Sequence, residues 1–162
     1  MSLVVRPARP NDAEAIARVH VETWQVTYAG LIPDPYLIRM GQEQRTGFWT
    51  KALARMHNGA QVLVAEAPGA GVIGYTSFGA LRPTRLPSST HFAGEIYTLY
   101  VHPDFQGRGL GRALLQRAFA DLEARGLDSA LIWVLAGNPA RYFYEALGGK
   151  YGEGPWVRFF SA

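Results

Sequence analysis

The segment that most constrains this chain is a β-rich run, Glu95-Ile96-Tyr97-Thr98-Leu99-Tyr100-Val101, which leads through His102-Pro103-Asp104-Phe105 into Gln106-Gly107-Arg108-Gly109-Leu110-Gly111. Beyond these glycines Leu110, Leu114, Ala118 and Leu122 recur at helical spacing, and Gly126 stops the pattern. A strand must therefore turn sharply into a helix over about 109–125. Glycine at 107, 109 and 111 removes side chains where a ligand has to approach the backbone, and the first N–H groups of the helix have no acceptor within it. Such a turn favours a pyrophosphate. Arg108 and Arg112 either add charge at its rim or are simply solvated.

Two better-known phosphate turns do not fit. A P-loop ends in Gly-Lys-Ser/Thr, which is missing, and the dinucleotide fingerprint needs a glycine where Arg112 stands and an acidic ribose partner on a neighbouring strand. For the triplet alone, a glycine-rich helix entry without a ligand is the competing reading. The surrounding pattern decides between them.

Leu3 to Arg6 predicts a first strand, and Pro10-Asn11-Asp12-Ala13-Glu14 a helix start with Asn11 as cap. Along that helix Ala13, Ile16, Ala17, His20 and Trp24 share one face. Asp34-Pro35 starts a short helical turn, and a longer helix over 42–56 buries Phe48, Trp49 and Leu53 before Asn58-Gly59 ends it. Residues 61–66 and 72–78 predict a hairpin around Pro68-Gly69-Ala70-Gly71. Residues 81–94, rich in Pro, Ser and Thr, predict a long exposed loop, a place where function often resides. Ala130 to Leu135 is a continuous apolar strand buried on both faces. Asn138-Pro139 opens a last helix that Gly148-Gly149 ends, and residues 156–160 supply a final strand.

With 162 residues, 48% of them hydrophobic, the chain suits one domain over 1–162. Cysteine is absent, which excludes a disulfide framework, a thiolate zinc site and a cysteine nucleophile. His20, His57, His91 and His102 show no paired metal spacing, so no metal site is expected. A formal charge of +3 suits an anionic small molecule, and no cluster of basic residues marks a nucleic-acid surface. There is no apolar run of membrane-spanning length and no secretory leader pattern, so a soluble cytoplasmic protein is the expectation.

The order strand, Gln-x-x-Gly-x-Gly, helix, strand, Asn138-Pro139 helix with Phe143-Tyr144, then Leu147-Gly148 resembles the pattern of the GNAT acetyltransferase superfamily over nearly the whole chain. Two departures are visible: Asn138 to Tyr144 is one residue shorter than the common spacing, and Gly149 replaces the usual Phe. The resemblance implies an α/β fold of the α+β layered kind, with a mixed, mostly antiparallel central sheet of six or seven strands flanked by about four helices. It implies acetyl-CoA as cosubstrate, its pyrophosphate on the amides of Gln106, Gly107, Arg108, Gly109, Leu110 and Gly111, with Arg112 at the rim. The pantetheine arm then lies along Leu99, Tyr100 and Val101 like an added strand. Asn138 is a candidate contact for the pantetheine amides, or a complete helix cap without a ligand.

Acetyl transfer from a thioester to an amine needs a neutral nucleophile, a stabilised oxyanion and a proton for the thiolate. By resemblance, Glu95 is the candidate base, directly or through water, the backbone N–H of Val101 holds the oxyanion, and Tyr144 donates to sulfur. The competing readings are a solvated strand-end carboxylate for Glu95 and an ordinary helix tyrosine for Tyr144. Phe143 should be core, as should Trp24. Tyr28 and Tyr36, beside the first helices, are candidates for the acceptor wall, and His91 or His102 is a less favoured base. The function implied is an N-acetyltransferase acting on a primary amine by direct transfer in a ternary complex. The alternative is a non-catalytic acyl-CoA-binding sensor domain, against which the presence of both Glu95 and Tyr144 argues. A homodimer is a further expectation of the resemblance; the acceptor is not legible.

Overall fold

The computed structural model describes residues 3–39, 41–55, 61–82, 93–134, 138, 140–151 and 156–160. The first strand, β1 (Val4–Pro7), runs into a 3₁₀ turn (Pro10–Asp12) and then helix α1 (Ala13–Thr27). The cap is Asp12 rather than Asn11. Its carboxylate accepts the Arg9 N–H at 2.7 Å and two guanidinium bonds from Arg6 at 2.8 and 3.0 Å, which ties the helix start to β1. Burial pushes the Asp12 carboxyl up, but the bonds from Arg6 and Arg9 outweigh it and hold the group below its usual range.

Helices α2 (Asp34–Arg39) and α3 (Gln42–Ala54) follow, then strands β2 (Gln61–Ala67), β3 (Gly71–Ala80) and β4 (Gly94–Val101). Helix α4 (Leu110–Ala124) crosses back to β5 (Ser129–Trp133), and α5 (Ala140–Ala146), β6 (Lys150–Tyr151) and β7 (Trp156–Phe160) complete the chain. The seven strands lie in the order β1-β2-β3-β4-β5-β7-β6. Among the described residues only β4 and β5 pair as strands in parallel, because the α4 crossover separates them; the other strand pairs are antiparallel. Strand β6 is too short for a sequence signal.

Each face of the sheet buries its own cluster. Leu110, Leu114, Ala118 and Leu122 of α4 pack on Ile73, Phe78, Ile96 and Ile132, while Ala13, Ile16 and Ala17 of α1 and Trp49 of α3 pack on Val62, Val64 and Tyr75. Both helical stripes match their expected faces. Three aromatic assignments need correction. Phe48 is 53% exposed, since only its neighbour Trp49 can face the sheet from α3. Trp133, at the end of β5, is 40% exposed although Ala130, Leu131 and Ile132 are buried. Phe143 is 38% exposed and lies against the start of α4 rather than in the core. The expected 81–94 loop lies mostly outside the described residues, as do His57, Asn58, Gly59, His91, Leu135 and Pro139.

Candidate active site

The site begins as a fault between two strands. Residues Phe78 and Ile96 pair across β3 and β4, and so do Ser77 and Thr98, which leaves Tyr97 as the extra residue of a β-bulge. On its other side β4 pairs with β5 only from Gly94↔Ala130 to Ile96↔Ile132. Beyond the bulge the two strands part, and β4 continues to Val101 without β5. The His102 N–H donates to the Ile73 carbonyl at 2.7 Å on the β3 side. Since backbone groups alternate along a strand, the N–H groups of Val101 and Leu99 face the other way, into the gap.

This gap is a cavity of about 130 Å³ walled by Leu99, Tyr100 and Val101 of β4, Ile132 and Trp133 of β5, Tyr28, Asn138 and Tyr144. Asn138 caps α5 by accepting the Ala140 N–H at 2.9 Å, and its amide also donates to the Tyr28 hydroxyl at 3.2 Å. The link joins the end of α1 to the start of α5 across the gap. Tyr144 is buried from one turn further along α5, and burial, reinforced by the nearby Tyr100 and Tyr28, raises its phenol well above the usual value. Tyr144 therefore stays protonated at any working pH.

Gln106, where the glycine turn begins, lines the cavity too. Gly107 and Gly109 both have φ of +79°, and a Cβ at either would meet nothing within 4 Å, so the backbone there is left-handed with open space before it. Gly109 caps α4 without any side-chain bond, which leaves the amides of the first turn without a protein cap. Gly111 is small for a different reason than ligand approach: its Cβ would come within 3.2 Å of the Phe143 ring. Leu110 turns its side chain into the core, so only its backbone faces a ligand. Gln106 braces the turn by donating its amide to the Val101 carbonyl at 2.9 Å. Arg108 lies over the Phe105 ring at 5.2 Å and Arg112 is exposed.

Two expected residues stand apart. Glu95 precedes the bulge and is buried at 1% exposure, outside the walls of the cavity. Its carboxylate accepts the Arg82 backbone N–H at 3.1 Å and the Arg82 guanidinium at 2.5 Å, so it is not a solvated strand end. Tyr36 is 53% exposed and lines a separate hollow beside α2 and α3. A link that sequence spacing did not suggest joins His102 to Glu22: the Asp104 N–H donates to His102 Nδ1, so Nε2 carries the proton donated to the Glu22 carboxylate.

Residues 19–149 match the model of the acetyltransferase (GNAT) family. The chain belongs to that family. As a GNAT member it is an N-acetyltransferase with acetyl-CoA as cosubstrate. It is 34% identical over 144 residues to the uncharacterized N-acetyltransferase YuaI of Bacillus subtilis, covering 89% of this chain and 78% of that one. It is 32% identical over 146 residues to the L-amino acid N-acyltransferase MnaT of Escherichia coli, covering 89% of this chain and 77% of that one. In fold it is similar to the PaiA N-acetyltransferase of Thermoplasma acidophilum, solved with coenzyme A, at a TM-score of 0.74 and 21% identity over 98% of this chain and 97% of that one. Among the described residues of this GNAT protein, no helix is long and apolar enough to cross a membrane.

Proposed function

We propose that this enzyme transfers the acetyl group directly from acetyl-CoA to a primary amine, both substrates being bound at once. The observation that carries the reading is the parting of β4 from β5 beyond Ile96, which leaves strand N–H groups facing a cavity that reaches Gln106, where the turn into an uncapped helix start begins. An extended pantetheine arm pairs with Leu99 to Val101 as a substitute strand, and the pyrophosphate takes the amides from Gly107 to Arg112. Asn138, with one amide hydrogen left after its bond to Tyr28, contacts the arm from the opposite wall.

In this arrangement the neutral amine attacks the thioester carbonyl carbon, forming the C–N bond, while the carbonyl oxygen becomes an oxyanion held by the Val101 N–H. Collapse breaks the C–S bond. The thiolate takes the Tyr144 proton, which the phenolate at once regains from water, and the proton leaving the new amide nitrogen passes through water toward Glu95. Because Glu95 does not reach the cavity, the proposed route is through water rather than direct. The Glu95 carboxylate is paired with the Arg82 guanidinium. Tyr28, at the joint between α1 and α5, faces the acceptor. MnaT, named for amino acids, supports a small acceptor over a protein one.

The test is release of free thiol from acetyl-CoA with a panel of small amines, followed by mass analysis of the products. Amine-dependent release with one acetyl group on the amine is expected. Release that does not depend on amine, or acetyl groups found on the protein during turnover, would overturn direct transfer.

A further inference from the structure

Beyond their last shared pair, Ile96↔Ile132, strands β4 and β5 part, and the next residue on each, Tyr97 and Trp133, lines the cavity. Both stand on the face of the sheet away from α4. Ile132 and Val134 belong to the core under α4, so Trp133 between them points to the other side. Ile96 and Leu99 also lie against that core, and the extra residue of the bulge lets both Tyr97 and Thr98 face away from it. The Arg82 guanidinium agrees with this placement, since it meets the Tyr97 ring at 4.3 Å and bonds the carboxylate of Glu95, whose side chain alternates with that of Ile96. A pyrophosphate at the start of α4 brings the cofactor in from the α4 side, which leaves the acceptor to approach from the side of Tyr97 and Trp133.

The two rings are held ready in different ways. Tyr97 is fixed, its hydroxyl donating to the Ala80 carbonyl at 2.6 Å while the guanidinium covers its ring, so little freedom is left to lose on binding. Trp133 keeps 40% of its surface exposed, although Leu131 and Ile132 before it and Val134 after it are buried. An indole at the mouth of a cavity offers a broad apolar face. Among the described residues that line the cavity none carries a charge, and the Arg82 charge beside Tyr97 is matched by Glu95. A charged group resting there would lose water without a partner, whereas a flat apolar ring gains stacking and burial.

We infer that Tyr97 and Trp133 form a platform for the body of the acceptor, and that this body is a flat apolar ring joined to the amine by a short chain. This rests on the transfer reading above and narrows the acceptor to aromatic amines. The indole N–H resonance of Trp133, assigned by its loss in Trp133→Phe, reports on the platform without turnover when the protein is saturated with CoA, which has no acetyl group to give. Phenethylamine should move that resonance saturably, and isopentylamine, which has no ring, should leave it in place at the same concentrations. Equal movement by both amines, or movement by neither, would overturn the inference, and this titration of the parent decides it even where a variant fails to fold. In steady state, the preference for phenethylamine over isopentylamine in kcat/KM should be about 10-fold in the parent and fall about 3-fold or more in Trp133→Leu, the sizes expected of an aromatic contact. Trp133→Phe should keep most of it. A preference that Trp133→Leu leaves unchanged, or that Trp133→Phe loses as fully, would also sink the platform. If both amines release thiol equally, the transfer reading stands and the platform falls; if the resonance responds to phenethylamine but no amine yields free thiol, the platform stands and the transfer reading falls.

Discussion

Tyr144 is the residue on which the chemistry turns most simply. Its phenol is buried and raised, so it is protonated when the thiolate leaves, although a weaker acid than an exposed tyrosine. A thiolate is nevertheless a tolerable leaving group, judged from a thiol pKa of about 8.5. Tyr144→Phe should therefore lower kcat by about 10-fold to 100-fold, the low end for acid catalysis, with little change in CoA affinity. Full kcat in that variant would mean that the short spacing from Asn138 has moved the hydroxyl off the sulfur. Glu95 makes a sharper test, because its bond to Arg82 gives it a structural role in any case. If it takes the proton, Glu95→Gln should cost about 10²-fold or more in kcat/KM near neutral pH, and the loss should shrink as the pH rises and free amine becomes abundant. A loss that is constant with pH would make Glu95 a strut for Arg82. The pairing itself was not legible, since thirteen positions separate the partners and nothing local marks them.

At the scale of elements, the glycine turn and α4 were readable because their causes are local. Left-handed φ at 107 and 109 requires glycine, and a stripe at helical spacing needs no partner to be seen. The bulge at Tyr97 was not readable. It arises from pairing between β3 and β4, yet it separates Glu95 from the cavity and opens β4 toward β5. Adjacent aromatics failed for a related reason: periodicity cannot say whether Phe48 or Trp49 meets the sheet until α3 is docked. The turn also supplies a test. Gly109→Glu places a side chain into open space, so the fold should survive with a left-handed strain of about 1–2 kcal/mol. Its carboxylate then occupies the phosphate position. Calorimetry should show CoA affinity reduced at least about 10²-fold, from repulsion and blocked approach together. Unchanged affinity in the folded variant would remove the pyrophosphate from this turn.

At the scale of the whole molecule, the described residues build one sheet with separate cores on its two faces, and the face under α1 carries a built-in acid sensitivity. His20 donates or accepts at Nδ1 with the Tyr75 hydroxyl at 2.8 Å, but its Nε2 is buried without a partner. Burial first, then Arg45, pushes its pKa from the ordinary 6.5 down to about 4. Between those values the unfolded chain binds more proton than the folded one, so stability falls as the pH is lowered through this window. The shift corresponds to on the order of 3 kcal/mol. Denaturant unfolding at pH 7 and pH 4.5 should show most of that loss, and His20→Gln should reduce it; an unaltered loss in the variant would assign the acid sensitivity elsewhere. Asp12 contributes only further down, since its depressed carboxyl lies below the ordinary range.

The central claim is that acetyl-CoA lies along the open edge of β4 with its pyrophosphate over the first turn of α4. Backbone amide shifts recorded during titration with acetyl-CoA test this residue by residue. The predicted result is a saturable perturbation concentrated at 99–101 and 107–112, with the amides of Leu99 and Val101 moving and the β1–β2 edge unmoved. Saturable binding that leaves both of those segments unchanged would contradict it.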